Sequence, residues 1–342
     1  MAFKNVGNLT LDTLTLKGQG AGVPLTMDAA GISSGQAFLV SELEKRDTIV
    51  RTPLTSFTYG RDVEVRVGGG FDEFVSAISV GYGVTGGSGD GLVQAAGADG
   101  IPMVQANFDK NIFKTHVVGL GTRVQWVDMQ RGNLTGRNLD TLLRDGVRLA
   151  YDKHMDQNVY VGLTTYGTTG LVNNAAVTAT TVATGAGGYT TWATKTADEI
   201  LADVNDAIIA VWAAAEYDQD AIPNHIIMPY EQYNILATTK VSSAADKTIL
   251  EYVYDNNIAK RNGVDIFIGA TKYCKGAGTG STDRMVVYVN KEKYVALDEL
   301  APLTRAMTSV NTEHFCYDTA YAANVSELEL FYTQTIGYFD GI

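Results

Sequence analysis

In Thr135–Asn174 the apolar and small residues first fall on a helical period and then give way to a short aromatic and glycine-rich tail. Leu139, Leu142, Leu143, Gly146, Val147, Ala150 and His154 recur at i, i+3, i+4, i+7 and form one stripe. Asp140, Arg144, Asp145, Arg148, Asp152 and Lys153 fall off it, with Asp140–Arg144 and Arg148–Asp152 at pairing distance. The pattern predicts a helix over 136–158, a rod roughly 34 Å long at ~1.5 Å per residue. With one side buried and the other charged, it reads as a structural beam. Leu139, Leu142, Leu143, Gly146, Val147 and Ala150 are its expected core, and Gly146 predicts close approach by a neighbouring element.

Other segments carry other periods. Residues 1–55 are rich in Gly, Thr and small side chains, with a helical patch at 38–45, and read as an arm that other surfaces must order. Asp62-Val63-Glu64-Val65-Arg66-Val67 alternates like a half-exposed strand. Phe71–Val80 leads into the glycine-rich run Gly81–Gly100, and Ile101–Gln130 resumes a β-branched, extended character. Two extended legs joined by a glycine-rich end describe a long hairpin-like loop with little core of its own. After the beam, Ala175–Tyr189 reads as a linker. Thr196 and Glu199 form a capping box that opens a helix striped by Ile200, Leu201, Val204, Ile208, Val211 and Ala215. His225–Met228 is a buried-type strand, and Pro229 starts a helix at its permitted first position. Thr248–Asn257 is a further helix, and Val264–Ile268 and Met285–Val289 are strands. Tyr294–Tyr338 is strand-like throughout, with Glu327–Leu330 alternating. The mixture defines an α+β protein.

Composition narrows the function. With 342 residues, 45% of them hydrophobic, the chain can build substantial cores. Its net charge of -12 and scattered basic residues leave no basic stripe for gripping nucleic acid directly. The first twenty residues lack a signal peptide pattern, and no apolar run reaches the ~20 residues of a membrane helix, so a cytoplasmic origin is expected. Cys274 and Cys316 have no metal spacing and are expected as free thiols, and the four histidines are dispersed. No metal or cofactor site is expected.

Candidate catalytic motifs are weak. Gly81-Tyr82-Gly83-Val84-Thr85-Gly86 fits a dinucleotide-binding pattern, but Gly87-Ser88-Gly89-Asp90-Gly91 follows where a helix must begin. Gly31-Ile32-Ser33-Ser34-Gly35 fits a hydrolase elbow but has no apolar strand before it. Asp218/Asp220 and Asp298/Glu299 are carboxylate pairs whose facing a sequence does not reveal. His154, on the apolar stripe, reads as a packed residue.

The order of parts is more specific than any of these motifs. An arm, a glycine-tipped loop, a long helix, an α/β region and a return of strands resemble the major capsid proteins of tailed phages, which share the Hong Kong 97-type fold. The closest local match is the end of the long helix: Asp156, Tyr160, Gly162, Tyr166-Gly167 and Gly170-Leu171-Val172-Asn173-Asn174. Ile200–Ile208, His225–Tyr230 and Tyr233–Leu236 are similar to the axial helix, strand and helix of that family. The resemblance implies an N-terminal arm at 1–58 and an E-loop at 59–118. It places a peripheral domain at 119–190 and 291–342 and an axial domain at 191–290. It implies a non-enzymatic shell protein of hexamers and pentamers that encloses double-stranded DNA without sequence-specific binding. Separate scaffolding and portal proteins and a decoration protein are its expected partners, in a virion assembled in the host cytoplasm without a membrane. Gly81, Tyr82, Gly83, Gly86, Gly87, Gly89, Lys110 and Lys114 are the expected inter-subunit contacts, although no cross-linking residue is identified. An encapsulin-like compartment shares this resemblance. An acidic carbohydrate-active enzyme and a tail-tube or baseplate protein are the other rival readings.

Overall fold

The computed structural model describes residues 53–85, 103–134, 139–242 and 246–342. The chain divides into two units, Met1–Phe57 and Thr58–Ile342. Residues 53–57 of the first unit carry no helix or strand. The rest of the expected arm, including the patch at 38–45 and the Gly31–Gly35 motif, lies outside the described residues.

The second unit is α+β. A short helix α1 (Tyr59–Asp62) leads to β1 (Val65–Val67), β2 (Phe74–Thr85), β3 (Met103–Gln125), α2 (Trp126–Leu134) and the long α3 (Leu139–Tyr160). Then come β4 (Ala179–Thr181), α4 (Ala197–Ala214), β5 (His225–Met228), α5 (Tyr230–Thr238), α6 (Ile249–Asn256), α7 (Ile258–Arg261) and β6 (Phe267–Ala270). The chain ends with β7 (Arg284–Tyr288), β8 (Val295–Asn311), β9 (Cys316–Ser326), β10 (Glu329–Leu330) and β11 (Ile336–Asp340). One sheet runs β1-β8-β9-β3-β2, with β10 also on β8; the other runs β4-β11-β7-β5-β6.

Two cores follow. The C-terminal half of α3 packs through Tyr151, Met155, Val159 and Tyr160 with Val286, Tyr288, Val295, Leu297 and Val325. The second core is built from the α4 stripe, Ile200, Val204, Ile208 and Val211, with Ile226, Met228, Val253 and Val287. The Thr196–Glu199 capping box forms as the sequence predicts.

Several expectations change. The stretch 62–67 is not one strand: Asp62 ends a helical turn and is buried, and only Val65–Val67 pair, in parallel with Leu297–Glu299. The leg after residue 101 stops at Gln125, opposite Cys316, where β9 begins, and the chain then turns into α2. Pro229 is the N-cap of α5 rather than its first residue. The segment read as a linker holds β4, and β4 and β11, placed by sequence with the peripheral segments, pair into the sheet of β5, β6 and β7.

The beam helix exists, but its buried stripe is rotated. Among the expected core residues only Val147 is buried; Leu139, Leu143, Gly146 and Ala150 are half-exposed, and Leu142 is 37% exposed. The buried line is Val147, Tyr151, Met155 and Val159, with Asp152, Asp156 and Asn158 beside it. A side chain at Gly146 would meet no atom within 4 Å among the described residues, so none of their elements approaches there. His154 is half-buried, and burial depresses its pKa.

Candidate assembly surface and the junctions behind it

β2 and β3 form an antiparallel hairpin in unbroken register from Phe74↔Lys114 to Thr85↔Met103. Twelve residues at ~3.4 Å give it a length of about 40 Å. Successive side chains alternate faces, and this register puts even-numbered residues of both strands on the same face. That face carries Phe74, Ile78, Val80, Tyr82, Val84, Val104, Phe108 and Ile112, all exposed. Ile78, Tyr82 and Phe108 are each more than 70% open to solvent. The opposite face presents Ser79, Gly81, Gly83, Gln105, Asn107, Asp109 and Asn111. At its root, Val75, Ala77, Ser79, Asn111 and Phe113 are half-buried. The large apolar side chains of the even face thus stay open to solvent, while on the other face only the root is half-buried.

This geometry redistributes the expected contacts. Tyr82 lies on the apolar face, with Lys110 opposite Ile78 and Lys114 opposite Phe74, so two cations rim the apolar stripe. Gly81 and Gly83 are on the other face, in paired strand, and no helix follows them through Thr85. Gly86, Gly87 and Gly89 lie outside the described residues. Sequence reading looked for flexibility in the glycines and passed over the stripe at 74, 78, 80, 82, 104, 108 and 112. The alternation of β2 alone, Phe-x-x-x-Ile-x-Val-x-Tyr-x-Val, contained that signal.

Behind the hairpin, buried polar residues bolt the elements together. Asp62 receives Arg61 Nε on Oδ1 at 2.6 Å and Nη2 on Oδ2 at 2.8 Å, with Tyr160 OH also donating to Oδ2. His225 Nε2 lies 3.2 Å from Oδ1, while Asn290 Nδ2 donates to its Nδ1 at 3.5 Å, which leaves the Nε2 proton for Asp62. Tyr288 OH donates to the Asp62 carbonyl at 2.5 Å. Burial acts to raise the Asp62 pKa, but the donors from His225, Arg61 and Tyr160 outweigh it and hold the carboxyl below its usual range. Asp156 accepts the Thr58 backbone N–H at 2.8 Å, so α1 and α3 meet β5 and β7 at one node.

A second node explains the Gly170–Asn174 segment. The N–H groups of Leu171 and Val172 donate to the carbonyls of Val159 and Tyr160, satisfying the end of α3. Gly170 permits this approach, because a Cβ there would stand 2.3 Å from the Tyr160 backbone. Arg284 pairs in two-pronged fashion with Asp340 at 2.7 and 2.9 Å and donates to the Val172 carbonyl at 2.7 Å. Tyr338 OH donates to the Leu171 carbonyl at 2.9 Å.

The candidate catalytic carboxylates are held by cations or hydroxyls. Asp220 accepts from Lys291, Lys293 and Tyr294, and Asp298 from Arg66, while Glu299 accepts from Tyr151. Asp218 caps the turn at Gln219–Ala221. Among the described residues no group of three or more His, Cys, Asp or Glu is placed to hold a metal, and no helix is long and apolar enough to cross a membrane.

A two-sheet α+β body with a beam helix and an outward-facing apolar hairpin defines a shell-forming subunit of the Hong Kong 97-type fold. The chain belongs to the major capsid protein family, whose model matches residues 89–342. No curated protein sequence matches it. Among solved structures it is similar to the capsid of Myoviridae phage XM1, with 17% identity over 88% of this chain and 98% of that one and a TM-score of 0.73. It is also similar to a structure from Microbacterium phage Oxtober96 (12% identity, 89% and 98% covered, TM-score 0.59). The capsid of a native GTA particle is a further likeness (11% identity, 92% and 99% covered, TM-score 0.60).

Proposed function

We infer that this chain is the head-shell subunit of a tailed bacteriophage and that it joins its neighbours by laying the apolar face of the β2–β3 hairpin across an adjacent copy. The carrying observation is that face: eight large apolar side chains aligned along one side of a ribbon and left open to solvent by the chain's own fold. Exposed apolar area of that extent and alignment marks an interaction surface. At ~25 cal/mol per Å² its burial drives association, and repetition around closed rings multiplies modest contacts into a stable shell.

On this reading the shell is built of hexamers and pentamers and encloses double-stranded DNA that the subunit does not read. Scaffolding, portal and decoration proteins are separate chains, and assembly takes place in the host cytoplasm before the protein resides in the virion. The role is structural and non-enzymatic. Residues 1–58 act as the arm and the hairpin as the E-loop. The axial part is 191–290 extended by β4 and β11, which pair with its sheet; the remainder of 119–190 and 291–342 is peripheral. The phage capsid among the structural likenesses supports a phage head over a cargo compartment.

The test is the double substitution Ile78→Ser with Phe108→Ser. Both side chains are exposed in the subunit, so its melting is expected to change by no more than ~0.5 kcal/mol. Closed shells, counted by electron microscopy after co-expression with the phage's assembly partners, should disappear. Normal shells from the double variant would refute the hairpin contact.

A further inference from the structure

The root of the hairpin holds a group of charges that do not balance. Arg66, in β1, donates from Nε to Asp298 Oδ1 at 2.5 Å and from Nη2 to Glu329 Oε2 at 2.6 Å, and its Nη1 stands 3.7 Å from Glu292. Three carboxylates, from β8, β10 and the turn before β8, thus face one guanidinium. Glu329 is fully buried, and its second oxygen, Oε1, has no hydrogen-bond partner among the described residues. A buried carboxylate that is ionised but half-satisfied is unfavourable. The groups that act on it are Asp298 from β8, Arg66 from β1 and Ser326 from β9.

This cluster sits where the chain leaves β1 for the hairpin. Gly68, Gly69 and Gly70 follow with φ of 139°, 122° and 87°, a run that side-chain-bearing residues do not adopt without strain. The N–H groups of Gly68 and Gly70 donate to the carbonyls of Glu299 and Leu300, so this glycine crank rests on the strand that carries Asp298. On the other side, Phe331 lies under the Arg66 guanidinium at 5.9 Å and packs edge-on against Phe113 of the hairpin at 5.4 Å. An open groove of about 420 Å³, lined by Arg66, Ala77, Ile78, Ser79, Asn111 and Phe331 among others, lies between the hairpin root and this strand end. The hairpin root therefore has room to tilt.

We propose that Arg66, Asp298 and Glu329 form a proton-controlled clamp on the hairpin root, closed while Glu329 carries its proton and loosened when the buried Glu329 carboxylate and the half-buried Asp298 carboxylate must share one guanidinium. The proposal rests on the hairpin being the inter-subunit surface and adds a control on its angle. Burial and then the Asp298 charge push the Glu329 carboxyl up to about 7, against the pull of Arg66. Because the folded value lies above the ordinary 4.5, the clamp's contribution is complete below about pH 4.5 and is lost as pH rises through about 7. Assembly near neutrality would then take place with the clamp partly open.

Hydrogen exchange on the full-length unassembled subunit tests this at the amides of Gly68 and Gly70. Between about pH 5 and about pH 8 their protection factors, which already correct for intrinsic exchange, should fall by at least about tenfold, one proton's linkage over one pH unit. Glu329→Gln should flatten that dependence. Should that variant not fold, Asp298→Asn serves instead: removing the neighbouring charge should move the transition toward acid by about one pH unit. A flat wild-type profile, an unchanged profile in Glu329→Gln or an unmoved midpoint in Asp298→Asn would overturn the clamp. Shell formation by the wild-type chain, scored in parallel, separates the readings: shells with a flat exchange profile refute the clamp alone, and absence of shells refutes the assembly role.

Discussion

Asp62 stands in a stretch whose alternation reads as a half-exposed strand with Asp62 on its polar side, yet its carboxylate is the acceptor around which Arg61, His225 and Tyr160 converge. Removing it leaves Arg61, His225 and the Tyr160 hydroxyl to find other partners. Asp62→Ala is expected to destabilise the subunit by about 3–5 kcal/mol, the range for breaking a buried charge pair from one side. Chemical denaturation measures that loss. The pH dependence follows from the direction of the shift. The Asp62 carboxyl is held below its ordinary 3.8, so its stabilisation is present above that pH and is lost as pH falls through the folded value. Asp62→Asn should therefore lose part of the acid limb of the stability profile while the wild type keeps it. Gly170 is the backbone counterpart. A Cβ there would overlap the end of α3, so Gly170→Ala should cost roughly 1–3 kcal/mol, the scale of overpacking, as read from its melting temperature. The sequence marked Asp156, Tyr160 and Gly170 through resemblance but missed Asp62 and Arg284. A buried charge is identified by the donors around it, and for Asp62 all but the neighbouring Arg61 come from residues 98 and 163 positions away.

At the scale of elements, α3 separates what a period reveals from what it hides. The 3.6-residue pattern places a long helix correctly, because helix propensity and amphipathicity are local. It misplaces the buried stripe, because Tyr151, Asp152, Asp156 and Asn158 are polar by type and buried by partnership. Tyr151 donates to Glu299 at 2.7 Å, and Asn158 donates to the Ser326 carbonyl at 3.0 Å. The same inversion occurs at β10, where alternation predicts Leu330 inward and Glu327 and Glu329 outward, and Glu329 is buried instead. Paired substitutions distinguish the two stripes. Met155→Ala, at a fully buried site, should cost about 2–5 kcal/mol. Leu142→Ala, at an exposed site on the expected stripe, should stay within ~0.5 kcal/mol. Equal losses at both positions would restore the stripe read from sequence. α4 needs a smaller correction: Ile200, Val204, Ile208 and Val211 of its expected stripe are buried, whereas Leu201 and the C-cap Ala215 are half-buried and Asp203 is buried beside them, and its capping box is complete within four residues.

For the whole molecule, the distribution of apolar surface separates two closed cores from one bare hairpin face, the face proposed for assembly. The two cores are closed by the α3 line, the α4 stripe and the central strands, while the hairpin contributes little to either and keeps its largest side chains outside. The sequence disclosed that this segment lacks a core of its own. It did not disclose which face would be bare, because that depends on the pairing register of two strands separated by the Gly81–Gly100 run. With the register known, the hairpin can be cut at a defined rung: Ser79 stands opposite Asp109. Replacing 80–108 with a short Gly-Ser turn removes Val80, Tyr82, Val84, Val104 and Phe108 but leaves Val75, Ala77 and Phe113 seated on the body. Circular dichroism and the melting temperature of this subunit should match wild type closely, because the removed side chains are exposed in the subunit. Particles counted from the same preparation should be absent. If the shortened chain unfolded, the outer hairpin would belong to the folding unit; if it closed normal shells, the apolar face would have some other purpose. A folded subunit that no longer assembles is the outcome expected of a ribbon whose interior is supplied by another copy.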